Sequence, residues 1–540
     1  MSSAEQTSMP PFMKLFWEQQ QKYLKTAKGG KRYHPLIIRY CLSLAAKSPA
    51  VYNDIRYDEK TNTGFLILPS RRRLRDYKNY IRPQQGFNKG VITELCQNVK
   101  DFTDAERFVI LIHDEMKIQE NLVWDKHTGD LIGYVDLGDI ELNCSTLKKV
   151  DQIASHVLVF LIRSIVNPMK FTIANFATTG ATAIQLYPLF WKAVSICELT
   201  CKLKVVGVTS DGASTNRKMY KMHSRQTKDE DHNNEVDVTY RTVNIFANEK
   251  RFIYFFADPP HLLKTARNCL ASSGQGSSGR LMWNDEQFIV WSHITKLVKE
   301  DLDCGLHLLP KLTNEHIKLT PFSRMNVKLA VQVLSSSVAE ILKSFGPQDA
   351  KGTAQFCNMF DSFFDCMNIR NTVEHKLKCK PFLKPFESVD DARLDWLTEV
   401  FLQYFKDWQQ SIENRRGDFS KDAKAKMFLS RQTYEGVQIS VHSTVELVKF
   451  LLSRNVKYVL TERFCQDPLE NYFGRQRSMG RRKDNPSLRD VGFNDNTIRM
   501  SRMVKPIQGN CRGAFDAKDE IDFGAETEKL PCRKAKRKKR

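Results

Sequence analysis

Apolar and polar positions follow two rhythms along this chain. Over the first hundred residues the rhythm is helical. HPLIIRYCLSLAAKS sets Leu36, Ile37, Tyr40 and Leu44 on one face, opened by His34-Pro35 and stopped by Ser48-Pro49. A shorter helix, PAVYNDIRY, follows. LPSRRRLRDYKNYI then places Ser70 as an N-cap, with Leu74, Tyr77 and Ile81 on one face. Arg71, Arg72, Arg73, Arg75 and Lys78 crowd the other faces. A capped basic helix after shorter helices predicts a helix-turn-helix-like DNA-binding region over 1–105.

From 106 to 280 the rhythm changes. RFVILIHDEMKI, NLVWD and LIGYVDLG are short apolar or alternating runs separated by turn residues, and HVLVFLIRSIV and MKFTIANFAT read as two more strands. TAIQLYPLFWKAVSICELTCKL has helical length despite Pro188, and KVVGVTSDG is a buried strand ending in Asp-Gly. RFIYFFADPPHLLKTARN is a strand running into a helix that starts at Pro259-Pro260. Several antiparallel strands, a helix, then a strand ending in an acid predict an α/β core. Residues 223–245 form a polar loop, and SSGQGSSG is a linker. Residues 281–455 carry long helical patterns and few strand signals, which predicts a mainly helical insertion. Residues 456–505 return to the core with a last helix and a basic segment, and 506–540 read as a disordered basic tail.

Candidate chemistry lies in the acids at element ends. A ribonuclease H-like core needs carboxylates on different elements that meet at one sheet edge, where oxygen ligands suit Mg²⁺ or Mn²⁺. Asp211 is the clearest, at the end of VVGVTS. Its plain structural role would be to cap the next segment. The first acid is open between Asp136 in IGYVDLG and Asp114 in ILIHDEM, with Asp139 a weaker third choice. Asp136 is preferred because the two strands and one helix needed before Asp211 then follow with nothing left over, whereas Asp114 leaves a surplus hairpin. Glu470 is the helix acid. DPLENYFGRQR starts like a helix, with Asp467 at the N-cap and Pro468 behind it, although a capping-box role for Glu470 fits the same spacing.

Composition adds the expected partner. The 540 residues carry 83 Lys+Arg against 62 Asp+Glu, a net +21, which points to a polyanion. Arg71, Arg72, Arg73 and Arg75, with Arg475, Arg477, Arg481, Arg482 and Lys483, are the expected phosphate contacts. Arginines beside Asp467 and Glu470 are reconciled if the acids hold metal and the arginines hold DNA. The 13 cysteines have neither disulfide-framework nor zinc spacing. The first residues show no secretory pattern, no apolar run reaches spanning length, and the basic CRKAKRKKR end reads as a nuclear address.

Taken in order, HDEMKIQENLVWD, GYVDLGD, VTSDGASTNR, DPPHLLKTARN, KLTNEHIKLTPFSRMNVKLAVQVLSSSVA and CQDPLENYFGRQR resemble the P element transposases and their THAP-domain-containing relatives over roughly 15–500. The resemblance implies a ribonuclease H-like catalytic core with a D-D-E triad on Asp136, Asp211 and Glu470, interrupted by the helical insertion. It implies cut-and-paste transposase chemistry and oligomers on DNA. It also implies an insertion that binds GTP without hydrolysing it. The matching positions are Lys311, Asn326, Val327, Ser335, Asp365, Asn368 and Asp467, and no Walker loop accompanies them. Asn326 stands where a phosphate-contacting lysine would be expected. The family usually opens with a C2CH zinc finger, but the first cysteines here are Cys41 and Cys96. A domesticated, non-catalytic DNA- or chromatin-binding protein is therefore the competing expectation.

Overall fold

The computed structural model describes residues 9–27, 30–125, 129–147, 149, 151–224, 238–274, 279–304, 307–479 and 485–501. The expected C-terminal tail, Arg481, Arg482 and Lys483 lie outside them. So does most of the polar loop.

The longest strand, β1 (Phe108–Lys117), is buried at Phe108–His113, as a central strand requires. On one side it pairs antiparallel with β4 (His156–Ser164), which pairs antiparallel with β5 (Lys170–Thr178). On the other it pairs parallel with β6 (Lys204–Ser210), then β8 (Phe252–Ala257), with β7 (Arg241–Val243) antiparallel at the edge. The order is β5-β4-β1-β6-β8-β7. NLVWD and the start of LIGYVDLG make β2 (Val123–Asp125) and β3 (Asp130–Ile132), a two-stranded hairpin outside this sheet. The surplus hairpin thus exists as an excursion between β1 and β4. That removes the reason for passing over Asp114.

The parallel step from β5 to β6 runs through the Ala183–Ser195 helix, opened by a Thr182–Gln185 capping box. In the Ser214–Lys221 helix, Tyr220 stacks on Phe255 of β8 with ring centres 4.4 Å apart. Beyond β8 the chain forms the predicted helices and a small hairpin of β9 (Met282–Asn284) and β10 (Gln287–Ile289). The insertion's final helix, Arg431–Ser453, lies directly on the core. Ser440 Oγ both accepts from the Ala257 amide at 3.1 Å and donates to the Ala257 carbonyl at 2.6 Å. Ser443 Oγ donates to the Phe255 carbonyl. A methyl at Gly436 would come within 2.6 Å of Leu262, so glycine permits this approach.

Ser70 caps the Arg71–Lys78 helix as predicted, accepting from the Arg73 amide. Arg71, Arg72, Arg73 and Arg75 are exposed while Leu74 is buried. The Pro35–Lys47, Pro49–Ile55 and Arg71–Lys78 helices enclose a small core of their own. The Leu488–Ser501 helix closes it, with Met500 in that core and Lys78 Nζ donating to Thr497 Oγ1 at 3.0 Å. No described helix is long and apolar enough to cross a membrane.

Candidate active site

The last β1–β6 pair is Ile112 with Thr209. Two residues further along each strand stand Asp114 and Asp211, so both acids reach the same level on adjacent parallel strands and point to the same side. One step past the Ser210–Ala257 pair of β6 and β8 lies Asp258. Three acids therefore line one end of the central sheet.

They are held differently. Asp258 is fully buried and spent on the backbone: one oxygen caps the Pro259–Ala271 helix through the His261 amide at 3.2 Å, and the other accepts from the Gln466 amide at 2.8 Å. Asp211 Oδ1 accepts from the Ala213 amide and from Asn216 Nδ2, both at 2.8 Å, so it does cap the following turn. Asp114 is half-buried. It accepts from the Glu115 amide at 2.7 Å and from Gln466 Nε2 at 2.5 Å. Burial, then the nearby charge of Asp211, pushes its carboxyl up to about 7.

Glu470 arrives from the far end of the sequence. Its approach is fixed by Arg163, the charge that interrupts the apolar run of β4. Arg163 is buried and donates to the Glu462 carbonyl at 2.8 Å and to its carboxylate at 2.6 Å. Thr209 Oγ1 donates to the Phe464 carbonyl at 2.6 Å. The Asp467–Ser478 helix then starts one residue earlier than expected, with Gln466 at the N-cap position and no side-chain cap. Asp467 is therefore not the cap. Glu470 is half-exposed and its Oε1 lies 3.2 Å from His261 Nε2. That hydrogen bond holds Glu470 below the usual carboxylate range, against burial. Burial pulls His261 down, but Glu470 and Asp258 outweigh it and the imidazole ends raised. Lys264 Nζ lies 3.3 Å from His261 Nδ1.

Asp136, the preferred first acid, is elsewhere. It bridges Ala177 on the outer edge of β5, three strand spacings or roughly 14 Å from β1. Its Oδ1 accepts from the Gly138 amide and Asn143 Nδ2, closing a turn. Asp139 caps the Ile140–Thr146 helix. The structure brings Asp114, not Asp136, beside Asp211. Asp258, His261 and Gln466 went unassigned in the sequence. Their signals were an acid between a strand and a Pro-Pro helix start, and a glutamine beside DPLE.

The donors at this sheet end are carboxylate oxygens and one imidazole, a set that suits a hard divalent cation. Among the described residues no lysine or arginine forms an ion pair with Asp114, Asp211 or Glu470; only His261 reaches Glu470. Nor do three His, Cys, Asp or Glu side chains there already converge at ligating distance. The chemistry of the residues fits such an ion, and the last convergence would accompany its binding.

The positions implied for GTP fall differently. Asn326 and Ser335 cap the Val327–Val333 and Ser336–Phe345 helices, and Lys311 is exposed. Val327 opens the first of these helices. Asn368 and Asp467 are drawn together by Arg370, at 3.3 and 3.8 Å. Asp365 shares Lys380 with Asp361, both at 2.9 Å. These are groups suited to a nucleotide, but Asp365 already has a cation from its own chain. Of the basic residues near Glu470, Arg475 is half-buried and Arg477 exposed.

Comparison with known proteins agrees with this architecture: an RNase H-like domain interrupted by a helical insertion. Residues 83–224 match the TNP-like RNase H N-terminal domain, and residues 260–380 match the TNP-like GTP-binding insertion domain. The chain is a homologue of the P element transposase and THAP9. It is 23% identical over 493 residues to the Transposable element P transposase of Drosophila melanogaster, covering 88% of this chain and 55% of that protein. It is 24% identical over 355 residues to the human DNA transposase THAP9, covering 63% and 35%. The chain thus spans about half, or less, of these relatives' length. The fold also matches the Drosophila P element transposase strand transfer complex, with a TM-score of 0.68 and 20% identity over 91% of this chain and 97% of that one.

Proposed function

We propose that this chain is a metal-dependent DNA transposase, cleaving a phosphodiester at a DNA end and joining the freed 3′-hydroxyl to a target strand. The observation that carries this reading is the level placement of Asp114 and Asp211 on adjacent strands, with Glu470 brought to the same sheet end. The proposed triad is Asp114, Asp211 and Glu470, with Asp114 replacing the expected Asp136. A Mg²⁺ or Mn²⁺ ion bound by these carboxylates would offset their charge and activate the attacking water or hydroxyl. Gln466 orients Asp114 through its side-chain amide and ties the Glu470 helix to Asp258 through its backbone amide. His261 orients Glu470. Arg71, Arg72, Arg73, Arg75 and Arg477 offer exposed charge to phosphates.

DNA binding, assembly as a homo-oligomer on DNA and residence in the nucleus belong to the same proposal. GTP is proposed as a ligand of the insertion that competes with Lys380 for Asp365. The test is nicking and strand transfer on pre-cleaved DNA ends with Mg²⁺ or Mn²⁺, comparing wild type with Glu470→Ala. Loss in the variant is expected, and equal activity in both would remove Glu470 from the triad.

A further inference from the structure

The Asp467–Ser478 helix that carries Glu470 is held from its other side. Glu470 and Tyr472 lie two positions apart, about 200° around the helix, so they face opposite ways. Tyr472 and Gln476, one turn apart on the second face, are both fully buried. The Tyr472 hydroxyl donates to Asp495 Oδ1 at 3.1 Å. Gln476 Nε2 donates to the same hydroxyl at 2.8 Å and to the Val491 carbonyl at 3.2 Å. Asp495 and Val491 belong to the Leu488–Ser501 helix. There the buried Arg499 forms an ion pair through Nε with Asp495 Oδ2 at 3.2 Å. Its Nη1 donates to Glu94 Oε2 at 2.6 Å and its Nη2 donates to Asn496 Oδ1. Glu94 stands on the Lys89–Asn98 helix, whose Val91, Ile92 and Leu95 are part of the main core. A chain of buried polar contacts thus runs from that core, through Arg499 and Asp495, to the back of the helix that bears Glu470. Taking these charges out of water costs about as much as their attraction returns. What the rigid, planar guanidinium adds is direction.

We propose that Arg499 is a positioning residue for Glu470: through Asp495 and the Tyr472 hydroxyl it sets the rotation of the Asp467–Ser478 helix and so aims the carboxylate at the end of the sheet. The proposal rests on the triad reading above and adds to it a residue that touches neither substrate nor metal. Glu470 then has two holds. His261 orients its carboxylate at 3.2 Å, and the Arg499 network fixes the backbone from which that carboxylate projects. The second hold matters because a misplacement of about 1 Å at a reacting centre can cost about 10²-fold in rate.

The test uses the full chain and two readouts: Mn²⁺ affinity without DNA, from the paramagnetic resonance of free Mn²⁺, and kcat and KM for nicking of a pre-cleaved DNA end. Tyr472→Phe removes only the hydroxyl, and Arg499→Met removes the guanidinium. Each should weaken Mn²⁺ binding and lower kcat by about tenfold, with KM for DNA unchanged. Arg499→Lys keeps a cation and should recover part of both losses. Tyr52→Phe is the control for stability alone. It removes an equally buried hydroxyl, bonded to the Pro69 carbonyl at 2.8 Å in the N-terminal core, and should leave both readouts at wild type. Wild-type Mn²⁺ affinity and kcat in Tyr472→Phe and Arg499→Met would overturn the proposal. So would losses in Tyr52→Phe that match those in Tyr472→Phe. Nicking that needs Glu470 but ignores Arg499 would sink this role and leave the triad standing. Mn²⁺ binding that depends on Arg499 in a wild type that never nicks DNA would uphold the role and remove the reaction. A wild type that takes up no Mn²⁺ would remove both.

Discussion

Two groups of acids lie withdrawn from solvent in this molecule, a half-buried pair at the end of the central sheet and a buried pair in the insertion. In the insertion, Asp361 and Asp365 share the ammonium of Lys380, with both contacts at 2.9 Å. At the sheet end Asp114 and Asp211 stand level on neighbouring strands with no lysine or arginine paired to them among the described residues. Burial raises one acid in each group, Asp114 to about 7 and Asp365 to about 6. The difference lies in the source of the compensating charge. One group is neutralised from within its own chain; the other, under the proposed function, would take its cation from outside. Clustered carboxylates alone therefore do not mark a reactive site. The proposed function rests on the cluster that the fold leaves without a lysine or arginine partner among the described residues, at the end of the sheet.

The largest expected contrast is in chemistry. Glu470→Gln should lower nicking and strand transfer by about 10³-fold, since a ligand carboxylate contributes several kcal/mol to such a step. Asp365→Asn should leave the chemical step within about tenfold of wild type. Comparable losses in both would dissolve the distinction between the two groups.

Stability should show the opposite order. Lys380→Met leaves Asp361 and Asp365 without their cation, and should cost about 3 kcal/mol in urea unfolding, because a broken buried pair strands the remaining charge. The same variant frees Asp365. A thermal shift with GTP beyond that with ATP should therefore be larger, relative to its own ligand-free state, than in wild type. An unchanged GTP shift would separate Lys380 from nucleotide binding.

A smaller effect concerns pH. Asp114 is raised in the folded state, so its contribution to stability is present below the ordinary carboxylate range and is lost as pH rises through about 7. A divalent ion binds the charged form. The rise in Tm produced by Mn²⁺ should therefore be greater at about pH 8 than at about pH 5. In Asp114→Asn that gain should shrink. A Mn²⁺ effect independent of pH would contradict an uncompensated acid at this site. Smallest of all, each of Arg71, Arg72 and Arg75 changed to Ala should flatten the dependence of log affinity for DNA on log salt by about one unit.

Local pattern made much of this legible. The strands β1, β4, β5, β6 and β8, the Ser70 cap and the strand-end position of Asp211 all follow from periodicity and turn residues. The choice between Asp114 and Asp136 did not, because the β2–β3 hairpin leaves the sheet and returns, and strand count along the chain cannot show which strands pair. The approach of Glu470 depends on Arg163 and Glu462, which are 299 residues apart. The N-cap position at Gln466 rather than Asp467 follows from where that approach delivers the chain. Asp258, His261 and Gln466 became visible only as contacts between the Pro259–Ala271 helix, the sheet end and the Glu470 helix. The Leu488–Ser501 helix likewise completes an N-terminal core that no local window could join to it.

The central claim is that the uncompensated acid of β1 belongs to the reaction and the acid at the β5 edge does not. Nicking of a pre-cleaved DNA end with Mn²⁺ should be measured for Asp114→Asn and Asp136→Asn side by side. Asparagine can still close the Asp136 turn through its Oδ1, so Asp136→Asn should nick DNA like wild type, while Asp114→Asn should be inactive though folded. An active Asp114→Asn protein beside an inactive, folded Asp136→Asn protein would contradict the account.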